Sequence, residues 1–311
     1  MNTQTKLAIV AILVVIPLTS IVVYGNNTNQ QFSAVDSSKL QVISSFNPLH
    51  EFSQIVGQEK INAILLVPIG VEPHDWEPTI KDVQQMQKSD LIIINGIGFE
   101  NWVDDLIDNE YDGIIVDTSK GIMVKKSIDE EHVNEKDTDH QHLERDPHIW
   151  LNPIFAIKQV ENIALAFSST DPENEEFYMT NAAKYSEKLH ELDLKIKNEL
   201  STCNKDFIAF HNAFSYFADE YGLNQYTIVK TINSHGEVTA QTLENVISKA
   251  RELNIKVIFS EESVNTKTSQ IIANEIDGKV LVLSPLEIVS DGDYISKMNK
   301  NLEHLKEALC Q

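Results

Sequence analysis

Three histidines stand far apart in this chain, each in a distinctive short context. They are His74 in VEPHDWEPT (71–79), His148 in DPHIWLNP (146–153) and His211 in FHNAF (210–214). Neutral imidazole is the commonest protein ligand for a borderline-soft divalent cation, and three imidazoles supply most of a tetrahedral zinc shell. A histidine taken alone is more often a surface or capping residue. The chemistry therefore depends on whether the fold brings the three together. Prolines flank His74 (Pro73, Pro78) and His148 (Pro147, Pro153), stiffening both loops so that ordering them around a ligand costs less entropy.

The elements that must position these residues alternate in type. Leu40–Phe46, Ile61–Pro68, Asp90–Asn95 and Gly113–Thr118 read as strands, the third an isoleucine run expected of a strand buried on both faces. Asn47-Pro48 reads as the N-cap and first residue of a helix to about Gly57. Thr79 and Asp82 form a capping-box start for a helix through Lys88, and Gly96-Ile-Gly98 turns the third strand into helix Phe99–Ile107. Asn152-Pro153 opens a helix to about Phe167, and Asp171-Pro172 opens another to about Ser201. In the latter, Leu189, Leu192, Ile196 and Leu200 recur at helical spacing. Its roughly 30 residues span about 45 Å, too long for an ordinary crossover, so it is expected to be a spine between two lobes.

Alternation then resumes. Phe207–Phe210, Thr227–Ile232, Lys256–Ser260 and Lys279–Leu283 read as strands, with helices to Tyr221, over Gln241–Leu253 and Val264–Ile276, and finally to Cys310. The expected fold is α/β: two lobes, each a four-stranded parallel sheet flanked by helices, joined by a long rigid helix. The expected boundaries are 39–170 for the first lobe, 171–203 for the linking helix and 204–311 for the second lobe. In open parallel sheets, ligands bind beyond the carboxyl ends of the strands. His74 follows the second strand, His148 follows the loop after the fourth, and His211 ends the first strand of the second half. All three map to the edges of one inter-lobe cleft.

The whole chain sets broader bounds. Its 311 residues, 42% hydrophobic and 23% charged, are globular in composition and exceed what one core usually serves. A net charge of -22 favours solubility and repels nucleic acid and anionic lipid. Lys6 precedes the uncharged, mostly apolar run Leu7–Tyr24. Residues 1–25 therefore read as a cleaved signal or a retained anchor, with 26–38 a polar linker; either way the remainder is exported. No cysteine follows the run, which argues against a lipid-modified N-terminus. Export permits a disulfide between Cys203 and Cys310, two unrelated thiols being the alternative. Lys120–Arg145, polar and charged, is expected to be a long surface loop.

Longer segments carry a resemblance. Gly70–Thr79, Asp90–Trp102, Asp146–Pro153, Phe210–Gly222, Gly236–Leu243 and Val257–Glu261 resemble the zinc- and manganese-binding solute-binding proteins of ABC metal importers. The likeness covers nearly all of the chain from about Leu40. It implies a monomeric extracytoplasmic receptor, not an enzyme, that captures a metal between its lobes and passes it to a membrane permease served by an ATPase. His74 and His148 would be ligands from the first lobe and His211 from the second. Manganese-favouring members often carry glutamate at the position of His211, so histidine there points to Zn2+ rather than Mn2+. The loop bearing His132, His140 and His142 resembles the histidine-bearing acidic loop of zinc-selective members, which makes these three auxiliary ligands or parts of a solvated spacer.

One departure stands out. Many members place an aspartate ligand where this chain has Ser284, in Leu283-Ser-Pro-Leu-Glu287. Serine is a poor zinc ligand, which leaves the fourth position to water, Glu287 or a loop histidine, the first two preferred. Glu261, at another strand end, either orients a ligand histidine from behind or caps the next helix. The rival readings are a manganese receptor or an adhesin of the same fold and, at a greater remove, a zinc hydrolase. Against the hydrolase stand the lack of an H-E-x-x-H motif and of any general base placed by a motif.

Overall fold

The computed structural model describes residues 39–108, 111–125, 145–229, 238–262 and 264–310. The expected export segment and linker, and His132, His140 and His142, lie outside the described residues. Leu40–Gln311 forms one compact unit built on two four-stranded parallel sheets.

The first sheet contains β1 (Leu40–Ser44), β2 (Ile61–Leu65), β3 (Leu91–Ile94) and β4 (Ile114–Asp117), in the order β2-β1-β3-β4. The second contains β5 (Asp206–Ala209), β6 (Asn224–Thr227), β7 (Val257–Ser260) and β8 (Lys279–Val282), in the equivalent order β6-β5-β7-β8. The strand order reverses beside β1 and again beside β5, the places where open α/β sheets bind ligands. The isoleucines of β3 are buried throughout, as a central strand covered on both faces requires.

Local chemistry explains most of the helices. Helix α2 (Ile80–Met86) begins with the expected reciprocal cap: Asp82 N–H donates to Thr79 Oγ1 (3.4 Å), and Thr79 N–H donates to Asp82 Oδ2 (2.9 Å). Helix α4 (Pro153–Thr170) is capped by Asn152, whose Oδ1 accepts from Ile154 N–H at 2.8 Å. Two expectations change. Helix α1 (Asn47–Gly57) already includes Asn47, and Phe46 stands at the cap position without a side-chain cap bond. The Asn47 amide instead donates to Glu51 Oε1 one turn along the helix (3.0 Å) and to the distant Leu286 O (3.4 Å). Helix α3 (Val103–Asp108) starts later than residue 99, because Phe99 and Trp102 turn into the interior and Glu100 folds back onto the Asn95 and Gly96 amides.

Strand β6 is also displaced from the expected Thr227–Ile232. Helix α6 (Ser215–Tyr221) ends at Gly222 in the left-handed conformation (φ 63°), and Leu223 N–H returns to Ala218 O. The chain therefore enters the sheet at once, pairing Asn224 with Asp206. This edge strand lacks an apolar run, whereas the buried Ile228 and Val229 that suggested one lie beyond its end.

The long helix α5 (Glu175–Leu200) follows a short 3-10 turn at Pro172–Asn174, so it begins later than expected. Its Leu189, Leu192, Ile196 and Leu200 are buried. It packs against α1 and α4 in the first lobe and against α6 and α9 (Tyr294–Leu309) in the second. One hydrophobic core runs from Leu49 and Phe167 through Ile196 to Phe207 and Leu302, so the lobes share an interior along this helix. Cys203 and Cys310 form a disulfide, joining the end of α5 to the end of α9 across 107 residues. Closing so long a loop restricts the unfolded chain by about 4–5 kcal/mol in the chain-entropy account. The remaining helices, α7 (Ala240–Glu252) and α8 (Lys267–Glu275), flank the second sheet.

Candidate metal centre

Five carboxyl-end loops converge on one point. His74 sits on a 3-10 turn, Pro73–Asp75, after β2. His148 precedes the 3-10 turn Ile149–Leu151, after β4. His211 follows β5, Glu261 follows β7 and Glu287 follows β8. His74, His148, His211 and Glu287 each offer one ligand atom, and these four atoms lie within 4.8 Å of one another.

The spacing is informative. His74 Nε2 lies 3.2 Å from His148 Nε2, which lies 3.2 Å from His211 Nε2. Glu287 Oε1 lies 3.2 Å from His74 Nε2 and 3.3 Å from His148 Nε2. A tetrahedron with metal–ligand distances of about 2.0–2.1 Å has edges of about 3.3–3.4 Å. Four of the six edges match a zinc shell, and all four ligand atoms lie within 4.8 Å of one another. The cluster is also enclosed: the side chains of His74 and Glu287 are 5% and 2% exposed, and those of His148 and His211 are fully buried.

Two imidazoles are oriented from behind. His148 Nδ1 is 2.8 Å from Asp146 Oδ1, which also accepts the His148 backbone N–H at 3.0 Å. His211 Nδ1 is 2.6 Å from Glu261 Oε1, which accepts the His211 backbone N–H at 3.2 Å. Each carboxylate holds a proton on Nδ1 and turns the Nε2 lone pair to the centre. Glu261 thus faces His211 and does not cap the next helix, whose N-cap is Thr266. Asp146 is itself held from the second lobe: Ser215 Oγ donates to its carboxylate, and Tyr216 OH donates to its carbonyl at 2.8 Å. His74 leans edge-on against Phe99, with ring centroids 4.8 Å apart, and Phe99 packs on Phe46 and Trp150. The loop behind Phe99 needs glycine at Gly96 (φ 82°), where a side chain would run into Asp117.

The protonation energetics follow from burial and pairing. Burial opposes charge on His148, but hydrogen bonds to Asp146 and Glu287 prevail and raise its pKa to about 9. Burial lowers the pKa of His74, with Glu287 opposing. Burial favours the neutral form of Glu287, but His74 and His148 prevail and hold its pKa well below the usual carboxylate range. Glu72 is pushed up to about 8 by burial and by the charge of Glu287, with which its side chain is hydrogen-bonded. The centre therefore gathers negative charge that only protons or a cation can offset.

Sequence reasoning missed Asp146 and Glu72. Asp146 had a readable signal, a carboxylate two residues before a candidate ligand; Glu72 had none distinguishing it from a solvated acidic residue. Ser284 does not join the ligand cluster, and its hydroxyl instead accepts the Leu286 N–H at 3.2 Å.

Comparison with known proteins agrees with this architecture. Residues 42–308 match the family model described as zinc-uptake complex component A, periplasmic. The high-affinity zinc uptake system protein ZnuA of Bacillus subtilis (strain 168) is 36% identical over 295 residues, covering 92% of this chain and 92% of that protein. Zn(II)-bound AdcA from Streptococcus pneumoniae superposes with a TM-score of 0.75 at 32% identity, over 88% of this chain and 58% of that one. The laminin binding protein Lmb of Streptococcus agalactiae, described as bifunctional with adhesin and metal transporting activity, superposes with a TM-score of 0.77 at 27% identity, over 86% of this chain and 99% of that one. With the match running from the first strand into the last helix, the chain belongs to the zinc-uptake complex component A family.

Proposed function

We propose that this protein is the extracytoplasmic substrate-binding component of an ABC importer, capturing Zn2+ between its lobes and delivering it to a membrane permease and its ATPase. His74, His148, His211 and Glu287 would be the ligands, Asp146 and Glu261 would orient two of them, and the protein would act as a monomer. The lobes would be residues 39–170 and 204–311, joined by 171–203. The observation that carries this reading is the spacing of four buried ligand atoms at 3.2–3.3 Å in the pairs around His148 and Glu287.

Chemistry favours zinc as the cargo. Three imidazoles and one carboxylate in a closed four-coordinate site suit zinc, whereas manganese prefers more oxygen ligands in a six-coordinate shell. Four side-chain ligands also leave no open position for an attacking water, so the hydrolase alternative falls with the family. Enclosure of the site means that the ion enters and leaves only when the lobes or loops part. The core shared along α5 favours a small movement over a wide hinge swing.

The test is a competition titration of zinc and manganese against a chelating dye, with melting curves in parallel. Zinc should bind far more tightly and raise the melting temperature, because it binds only the folded state. A larger shift with manganese would overturn the cargo assignment. The likeness to Lmb supports a second, adhesin reading. Zinc-independent binding to immobilised laminin would favour it.

A further inference from the structure

Ser284 is buried yet stands outside the ligand cluster. Its hydroxyl accepts the backbone N–H of Leu286 at 3.2 Å. Leu286 is a fully packed leucine in the left-handed region (φ 63°), a conformation that a branched side chain disfavours unless its surroundings impose it. Those surroundings are specific. Asn301, on α9, grips Ser284 from both sides: its Oδ1 accepts the Ser284 N–H at 2.8 Å, and its Nδ2 donates to Ser284 O at 2.7 Å. The Trp150 indole N–H donates to Pro285 O at 2.8 Å, and Asn47 Nδ2 donates to Leu286 O at 3.4 Å. Three successive carbonyls of one turn are thereby fixed, and the next residue is Glu287.

We propose that Ser284 and Asn301 are positioning residues for zinc capture, locking the left-handed Leu286 turn that delivers Glu287 to the three imidazoles. The proposal rests on the reading of Glu287 as a ligand. Leu286 in an extended conformation would swing the Glu287 side chain to another direction, so the turn sets where the carboxylate arrives. Trp150 and Asn47 belong to the first lobe and Glu287 to the second. The second lobe's carboxylate is thus aimed partly from the first, and a substitution in the turn's supports weakens the site without touching a ligand.

The experiment measures zinc affinity by dye competition for the full chain and for Ser284→Ala, Ser284→Thr, Glu287→Gln and Ser284→Ala/Glu287→Gln. Ser284→Ala should weaken zinc about fivefold to tenfold, the usual effect of losing one buried hydrogen bond. Ser284→Thr, which keeps the hydroxyl, should stay within about twofold. In the Glu287→Gln background, Ser284→Ala should change affinity by less than about twofold, because a residue acting through another shows no effect once that other is gone. Unchanged affinity in Ser284→Ala, or an equal loss in both backgrounds, overturns the positioning role while leaving Glu287 as a ligand. Unchanged affinity in Glu287→Gln overturns the ligand reading and this proposal with it. Should Ser284→Ala fail to fold, Trp150→Phe enters the same cycle, with the same direction and the same dependence on Glu287 expected.

Discussion

His148 and His211 differ in kind from His74. Each of the first two is fully buried and has its outer ring nitrogen on a carboxylate that also grips its own backbone N–H. His74 rides on a loop whose preceding residues Pro68, Ile69, Gly70 and Val71 are exposed, and its ring meets Glu287 and the edge of Phe99. Two of the candidate ligands are thus held by fixed partners, while the third is carried by a segment more exposed to solvent. A site built this way combines geometric selection by the buried pair with a ligand that can follow the ion in.

The largest test of that contrast removes ligands. If a four-ligand zinc site yields about 10–16 kcal/mol, each ligand is worth about 3 kcal/mol, or about 100-fold in affinity. His148→Ala and His211→Ala should lose at least this much, and with it the zinc-induced rise in melting temperature. His74→Ala should lose less, because water can enter at the looser corner. Equal losses at all three positions in dye competition would erase the distinction.

Next come the carboxylates behind the buried pair. Asp146→Asn and Glu261→Gln should each weaken zinc about 10-fold to 100-fold, the usual cost of disturbing a ligand's orienting partner.

A third test uses pH. His148, at pKa 6.5 unfolded and about 9 folded, gains stability from its partners that is fully present below about pH 6.5 and lost as pH rises through about 9. Glu287, with its pKa lowered, contributes in the opposite sense: its stabilisation is present above about pH 4.5 and lost on acidification. The metal-free protein should therefore lose on the order of 3 kcal/mol between pH 6.5 and 9 from His148. The zinc-loaded protein should not, because zinc takes the place of the His148 proton. Calorimetry near neutral pH, in buffers of different ionisation enthalpy, should show proton release on zinc binding. A metal-free melting temperature that is flat across this range would remove His148 as the source.

The smallest effect lies beyond the His74 loop. Thr79→Ala removes the α2 cap and should cost about 1 kcal/mol of stability. Zinc affinity should change only as far as the adjoining loop does, a direct measure of how independent His74 is of the buried pair.

Much of this was legible before any coordinates. Thr79 with Asp82, and Asn152 with Pro153, signal helix starts through bonds made within four residues, and both appear as expected. The isoleucines of β3 declare a central strand because burial on both faces leaves no polar alternative. Strand β6 was misplaced for the converse reason: it is a half-exposed edge without an apolar run, and its pairing with β5 was decided by the Gly222 turn.

The chain by itself determined the three imidazoles and their positions at strand ends, because local propensity and alternating elements depend only on neighbours. Only the tertiary structure brings a fourth candidate ligand to the imidazoles. Glu287 reaches His74 across 213 residues, from a left-handed leucine turn held by Asn301, Trp150 and Asn47. No local pattern encodes such a turn, since its conformation is unfavourable in isolation and exists because distant groups hold its carbonyls. The carboxylate behind His211 is also brought from afar, Glu261 lying 50 residues away, whereas Asp146 stands only two residues before His148.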